Sequence, residues 1–137
     1  MSREILFRCK AKIITPTYEP IGTWVYGYYN EIKDMSVIQT KQYYCQVEKD
    51  TVGQFTGLTD KNGKKIFEGD IVKFKDYDKL PFVGEVKYIK EVAGFVVYVV
   101  CKNVYSSTIL WAFVDINLEQ TEVIGNIHDN PELLQEK

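Results

Sequence analysis

Glycine, aspartate and asparagine punctuate Val52–Val72 (VGQFTGLTDKNGKKIFEGDIV), and aromatic and aliphatic residues fill the gaps between them. A chain of this kind must turn every few residues. Turns that need positive φ accept Gly readily and Asn or Asp at modest cost. The punctuation leaves no room for a long helix, so the segment is restricted to short strands joined by tight turns. Asp60-Lys61-Asn62-Gly63 contains Asn-Gly, the pair favoured by a type I′ hairpin turn. Glu68-Gly69-Asp70 is a second turn, and it launches Ile71-Val72-Lys73-Phe74 as a strand.

The pattern extends in both directions. Residues Ile5–Ile14 alternate and then meet Thr15-Pro16-Thr17 and Pro20, which predict a loop. Thr23–Tyr29 reads as an aromatic strand, with Gly27 as a bulge or a point of close approach. Ser36–Thr40 and Tyr43–Val47 read as two short strands. Val83–Tyr88 and Gly94–Val100 form a hairpin, followed by strands at Thr108–Val114 and Glu122–Ile124. At the C-terminus Asn130 can cap a helix, Pro131 suits its first position and Glu132 its dipole, so Pro131–Gln135 is predicted helical. Ten tyrosines add strand propensity. The fold class is mainly β.

A length of 137 residues suits a single domain, with an N-terminal β region over 1–50 and a second portion over 51–137. The strand opened by Gly69-Asp70 and the return through Gly84-Glu85-Val86-Lys87-Tyr88 have the look of a small SH3-like barrel. That likeness is one of fold and carries no function.

The net charge of −2 and a pI near 5.5 do not favour a protein that lives on nucleic acid, which needs Lys and Arg for phosphates. One basic stretch stands out: Arg3, Arg8, Lys10 and Lys12 against Glu4 in residues 1–12, a local +4 − 1 = +3. Cys9, Cys45 and Cys101 are odd in number and far apart, which argues against a disulfide framework. The N-terminus shows no signal-peptide core, and no apolar run reaches the length of a membrane span. A reducing cytoplasm is the expected setting, with no membrane partner.

Catalytic and metal-binding patterns are sparse. His128 is the single histidine, so a His pair or His₃ zinc site has no material. It precedes the predicted helix and reads as a loop or capping residue. Cys9, Cys45, Cys101 and His128 match a Cys₃His set in number but lack the close pairing of zinc ligands. The carboxylate pairs Glu68/Asp70 and Asp76/Asp78 could do acid–base work if burial raised one pKa. An Asp at a turn more commonly binds its own backbone. No Gly-rich phosphate loop matches. No cofactor is expected.

The aromatic residues are the best non-structural signal. Alternation puts Trp24, Tyr26 and Tyr28 on one side of a strand, and Tyr29, Tyr43 and Tyr44 add to a tyrosine-rich region. Such a face can fill a core, form a protein interface or stack bases.

Five blocks of this chain resemble the YopX family of phage and prophage proteins. They are Phe7-Arg8, Gly22–Gly27, Val52–Lys64, Ile66–Val72 and Glu122–Leu134, in the family's order and spread over nearly the whole chain. The resemblance implies a mainly β domain with an SH3-like barrel portion, a phage or prophage origin and a bacterial cytoplasm. It brings no catalytic residues. The sequence departs most from the family over Asn30–Asp50 and Asp76–Phe82. Taken together, these readings point to a non-enzymatic protein-interaction module. Its expected surface is Arg8, Trp24, Tyr26 and Tyr28, and its expected partners are a second copy and a host or phage protein. The alternatives are a nucleic-acid-binding barrel using Arg8, Lys10 and Lys12, and a small enzyme using Glu68 or Asp70.

Overall fold

The turn residues divide the chain into short antiparallel strands, and the alternation within each strand decides which side chains enter a core. The computed structural model describes residues 4–12, 21–75, 78–100, 108–113 and 116–134. The chain forms two units, residues 1–57 and 58–137.

In the first unit the strands are β1 (Phe7–Lys10), β2 (Trp24–Ile32), β3 (Met35–Gln39), β4 (Tyr44–Gln46) and β5 (Gly53–Thr59). Their order is β4-β3-β2-β1-β5, all antiparallel. The last residues of β5 run into the second unit. One face buries Cys9, Ala11, Val25, Ile38, Cys45 and Val47, with Phe7, Tyr29, Tyr43 and Val52 packed at its margin. Each buried Val or Ile contributes roughly 1.5–3 kcal/mol relative to exposure. An isolated bridge, Ala11↔Val47, ties the segment after β1 to the segment after β4. The β2–β3 turn is Lys33-Asp34, both at positive φ (49° and 68°), as a type I′ turn requires. No glycine marks it in the sequence.

The second unit holds β6 (Lys65–Phe67), β7 (Asp70–Lys75), β8 (Pro81–Ile89), β9 (Gly94–Val100), β10 (Thr108–Ala112) and β11 (Glu122–Asn126). Five of these strands form an antiparallel sheet in the order β10-β9-β8-β7-β11. Its core contains Ile66, Val72, Phe74, Val86, Val97, Val99, Ile116 and Val123. Phe74 stacks on Phe82 at 5.7 Å, and Trp111 meets Phe74 edge-on at 5.6 Å. Such aromatic pairs add about 0.5–1.5 kcal/mol beyond area burial.

Three expectations are corrected. The Asp60–Gly63 turn is not type I′, because only Gly63 has positive φ (78°). The Asp60 carboxylate is the cause: its Oδ1 accepts the amides of Asn62 (2.8 Å) and Lys64 (2.9 Å) and so dictates the turn. Closure into an SH3-like barrel is not seen either. The sheets stay open, and among the described residues of the second unit β10 and β11 each pair with one neighbour. Along β11 the Val123 amide donates to Asp60 Oδ2 (2.9 Å) and the Asn126 amide to Asn130 Oδ1 (3.3 Å), which occupies the margin where another strand would pair. The C-terminal helix is a 3-10 turn, Pro131–Leu134. The Asn130 side chain is turned back to Asn126, and Leu133 donates to the Asn130 carbonyl in the tight i→i+3 pattern.

Candidate interaction surface

The register of the first sheet builds the surface residue by residue. Arg8 lies opposite Tyr26 and Lys10 opposite Trp24. Tyr28 lies opposite Gln39, which lies opposite Tyr44. Directly opposed residues share a face, so Lys10, Trp24, Arg8, Tyr26, Tyr28, Gln39 and Tyr44 all lie on the side away from the apolar cluster. The four residues singled out from the sequence, Arg8, Trp24, Tyr26 and Tyr28, are therefore together. Tyr26, Tyr28 and Tyr44 are 48%, 66% and 56% exposed. Tyr29 and Tyr43 are not part of this set; they pack against the core, and the Tyr29 hydroxyl lies within hydrogen-bond distance of the Glu31 carboxylate (3.1 Å) and the Ser36 hydroxyl (3.0 Å).

The cations behave differently from the tyrosines. Arg8 is only 5% exposed, and its guanidinium carbon sits 4.6 Å from the centre of the Trp24 ring. The Lys10 ammonium lies 5.5 Å from the same ring. These are cation–π distances. The indole covers Arg8 and takes it out of reach of a phosphate backbone. Arg8 is thus a buried support for the aromatic face.

A cleft of about 780 Å³ opens on this unit. Its lining comes from Glu4–Leu6 before β1, from Tyr26–Tyr28 of β2, and from Gln39–Gln42 at the end of β3. In the strand order β2 lies between β1 and β3, so the first and last of these segments flank it. Gly27 is required at the base. A Cβ there would collide with the Gln39 carbonyl oxygen and come within 3.0 Å of Ile38. The wall after β3 is fixed by Thr40. Its amide donates to the Tyr43 carbonyl (2.8 Å), and its Oγ1 accepts the amides of Gln42 (3.1 Å) and Tyr43 (3.0 Å). Nothing in the sequence marks Glu4–Leu6 or Gln39–Gln42 as site residues, because they meet only through strand order. The Thr40-x-x-Tyr43 turn was the one local signal available.

The acidic candidates sit in the second unit. Asp70 is 1% exposed, and its Oδ2 accepts the Phe67 amide at 2.7 Å, which closes the turn through Gly69. Glu68 is half-buried beside it. On β8, burial pushes the Glu85 carboxyl above its ordinary range; nearby Lys87 pulls it down and Glu68 pushes it up. A second, smaller hollow of about 330 Å³ is lined by Lys61, Lys73, Lys75, Glu119 and Glu122, among others. Its charges are partly matched within it: Lys61 is 3.7 Å from Glu122, and Lys73 lies opposite Glu122 across the strands. His128 lies in a loop organised by Asn126, whose Oδ1 accepts the amides of His128 and Asp129. Among the described residues, no three His, Cys, Asp or Glu side chains are grouped to hold a metal ion. Cys9 and Cys45 are buried in one apolar cluster, and burial with the nearby Cys45 pushes the Cys9 thiol up to about 12. Cys101 and Asp76 lie outside the described residues. No helix among them is long and apolar enough to cross a membrane.

No curated protein matches the sequence. Among solved structures the chain is similar to protein EF1440 from Enterococcus faecalis, at 25% identity and a TM-score of 0.49, over 98% of this chain and 100% of that one. A family model described as YopX protein matches residues 14–135. That span takes in four of the five sequence blocks, from the aromatic β2 strand to the Asn130-Pro131 turn, and the chain belongs to the YopX family.

Proposed function

We propose that this protein is a non-enzymatic interaction module that docks a protein partner on the tyrosine-bearing face of its first sheet. One observation carries the reading: three tyrosine rings stand exposed on one face, while the arginine of that face is folded beneath a tryptophan. Tyrosine gives large contact area at low entropic cost and keeps a hydroxyl for hydrogen bonding, which is why it is enriched at interfaces. A nucleic-acid surface needs the reverse arrangement, with cations presented and rings between them. The covered Arg8 speaks against that alternative. The commitment of Asp70 to its turn speaks against catalysis by the Glu68/Asp70 pair. The partner is a second copy of the chain or a phage or host protein, met in a bacterial cytoplasm.

A photoreactive phenylalanine analogue at position 28 tests the proposal in cells. Protein adducts are expected from position 28 and not from the exposed position 64, and an equal or empty pattern at both would overturn it. Fluorescence anisotropy with a random single strand and a duplex at low salt should show no binding. Binding that falls steeply with salt would favour nucleic acid instead.

A further inference from the structure

We propose that Asn62 is a site of spontaneous deamidation, with water as co-reactant, and that the Asp60 turn holds it shut in the folded chain. Asn62 and Gly63 are both exposed in the turn between β5 and β6. Asparagine before glycine is the pair that closes most readily into a succinimide, because no Cβ on the following residue hinders the attack. The Gly63 amide nitrogen bonds to the Asn62 Cγ, the Cγ–Nδ2 bond breaks, and ammonia leaves with the amide proton. Water then opens the ring at either carbonyl, which gives aspartate or isoaspartate.

In this fold the attacking nitrogen is engaged. The Gly63 amide donates to the Asp60 carbonyl (3.0 Å), and the turn around it is fastened amide by amide. Asn62 and Lys64 donate to Asp60 Oδ1 at 2.8 and 2.9 Å, Asp60 donates to the Lys64 carbonyl (2.8 Å), and Lys61 to the Thr121 carbonyl (2.9 Å). Thr121 and Asp60 are themselves buried, which fixes the base beneath the exposed tip. An amide whose proton is held in a hydrogen bond is harder to deprotonate. A residue pinned on both sides cannot swing its backbone onto its own side chain. Ring closure therefore waits for local opening of the turn.

The same bonds make the product disruptive. Isoaspartate lengthens the main chain between positions 62 and 63 by a methylene group, so Asp60 Oδ1 can no longer take the amides on both sides. Aspartate puts a second carboxylate close to that of Asp60, and like charges repel. Asp60 Oδ2 also accepts the Val123 amide (2.9 Å), so either product loosens the start of β11. Asn62 is thereby a one-way mark of chain age, written fastest in molecules whose turn has opened.

Peptide mapping by mass spectrometry on the full chain, incubated in warm neutral buffer, tests this. Asn62 in the folded chain is expected to convert about tenfold or more slowly than in the same chain unfolded by guanidinium, because several hydrogen bonds must open first. Asp60→Ala, checked for folding by circular dichroism, should convert severalfold faster than the parent. Hydrogen exchange at the Val123 amide should rise in the deamidated fraction of the parent. Equal rates in the folded and unfolded chain, an Asn62 that stays intact in both, or a folded Asp60→Ala variant that converts no faster than the parent would each overturn the inference. Should that variant fail to fold, the parent alone decides, through its folded and unfolded rates. Unchanged exchange at Val123 after deamidation would sink the link to β11.

Discussion

At the scale of single residues, Asp60 does the most structural work for its size. It is 6% exposed and accepts three backbone amides, those of Asn62, Lys64 and Val123. Burial pushes its carboxyl up, but those three bonds and the charge of Lys64 outweigh burial and hold it below the ordinary value of 3.8. A carboxyl lowered on folding adds stability above its ordinary range and loses it as pH falls through the lowered value. Asp60→Asn should therefore cost about 2 kcal/mol at neutral pH, since one acceptor oxygen becomes a donor facing an amide. The gap between variant and parent should shrink in denaturant titrations as pH falls below the ordinary carboxyl value. Cys9 offers an independent check. With its thiol pushed up to about 12 and no exposed surface, it should resist alkylation at neutral pH in the folded chain and react freely once denatured. Sequence reading placed both residues in strands and turns correctly. The carboxylate of Asp60 was not legible as a hub, because Val123 lies 63 residues away. The burial of Arg8 was not legible for the same reason: its cover, Trp24, reaches it only through the register of β1 against β2.

At the scale of elements, β2 decides the candidate surface. Period-two alternation sorted Trp24, Tyr26 and Tyr28 to one side, and that was readable without coordinates. The cleft walls were not, since Glu4–Leu6 and Gln39–Gln42 are brought to β2 by the strand order alone. Turn chemistry was half legible. Gly69 does take positive φ (92°) and opens β7, whereas the type I′ turn falls at Lys33-Asp34 and not at the Asn-Gly pair. Gly27→Ala tests how tightly β2 and β3 are pressed together. The added methyl group should cost about 1–3 kcal/mol as overpacking. It should also displace the Gln39–Gln42 wall, read as backbone amide shifts confined to those residues and to β2. A loss of stability without those shifts would mean that Gly27 does not shape the cleft.

At the scale of the whole molecule, each unit has its own apolar cluster, one centred on Ile38 and the other on Phe74. Regions with separate cores open with separate free energies. Phe74→Ala should cost about 3–5 kcal/mol. In hydrogen-exchange measurements it should speed exchange across residues 58–137 more than across residues 4–57. A uniform rise would show that the two clusters melt together. The mainly β class followed from propensity and punctuation, but the open sheets did not, because closure depends on what borders the last strand. On β11 that border is made of side chains: the Asp60 carboxylate and the Asn130 amide take the Val123 and Asn126 N–H groups. A margin stoppered in this way cannot template further strands, so runaway fibre growth from that rim is closed off. Strand addition to that sheet is then left to the opposite rim, β10.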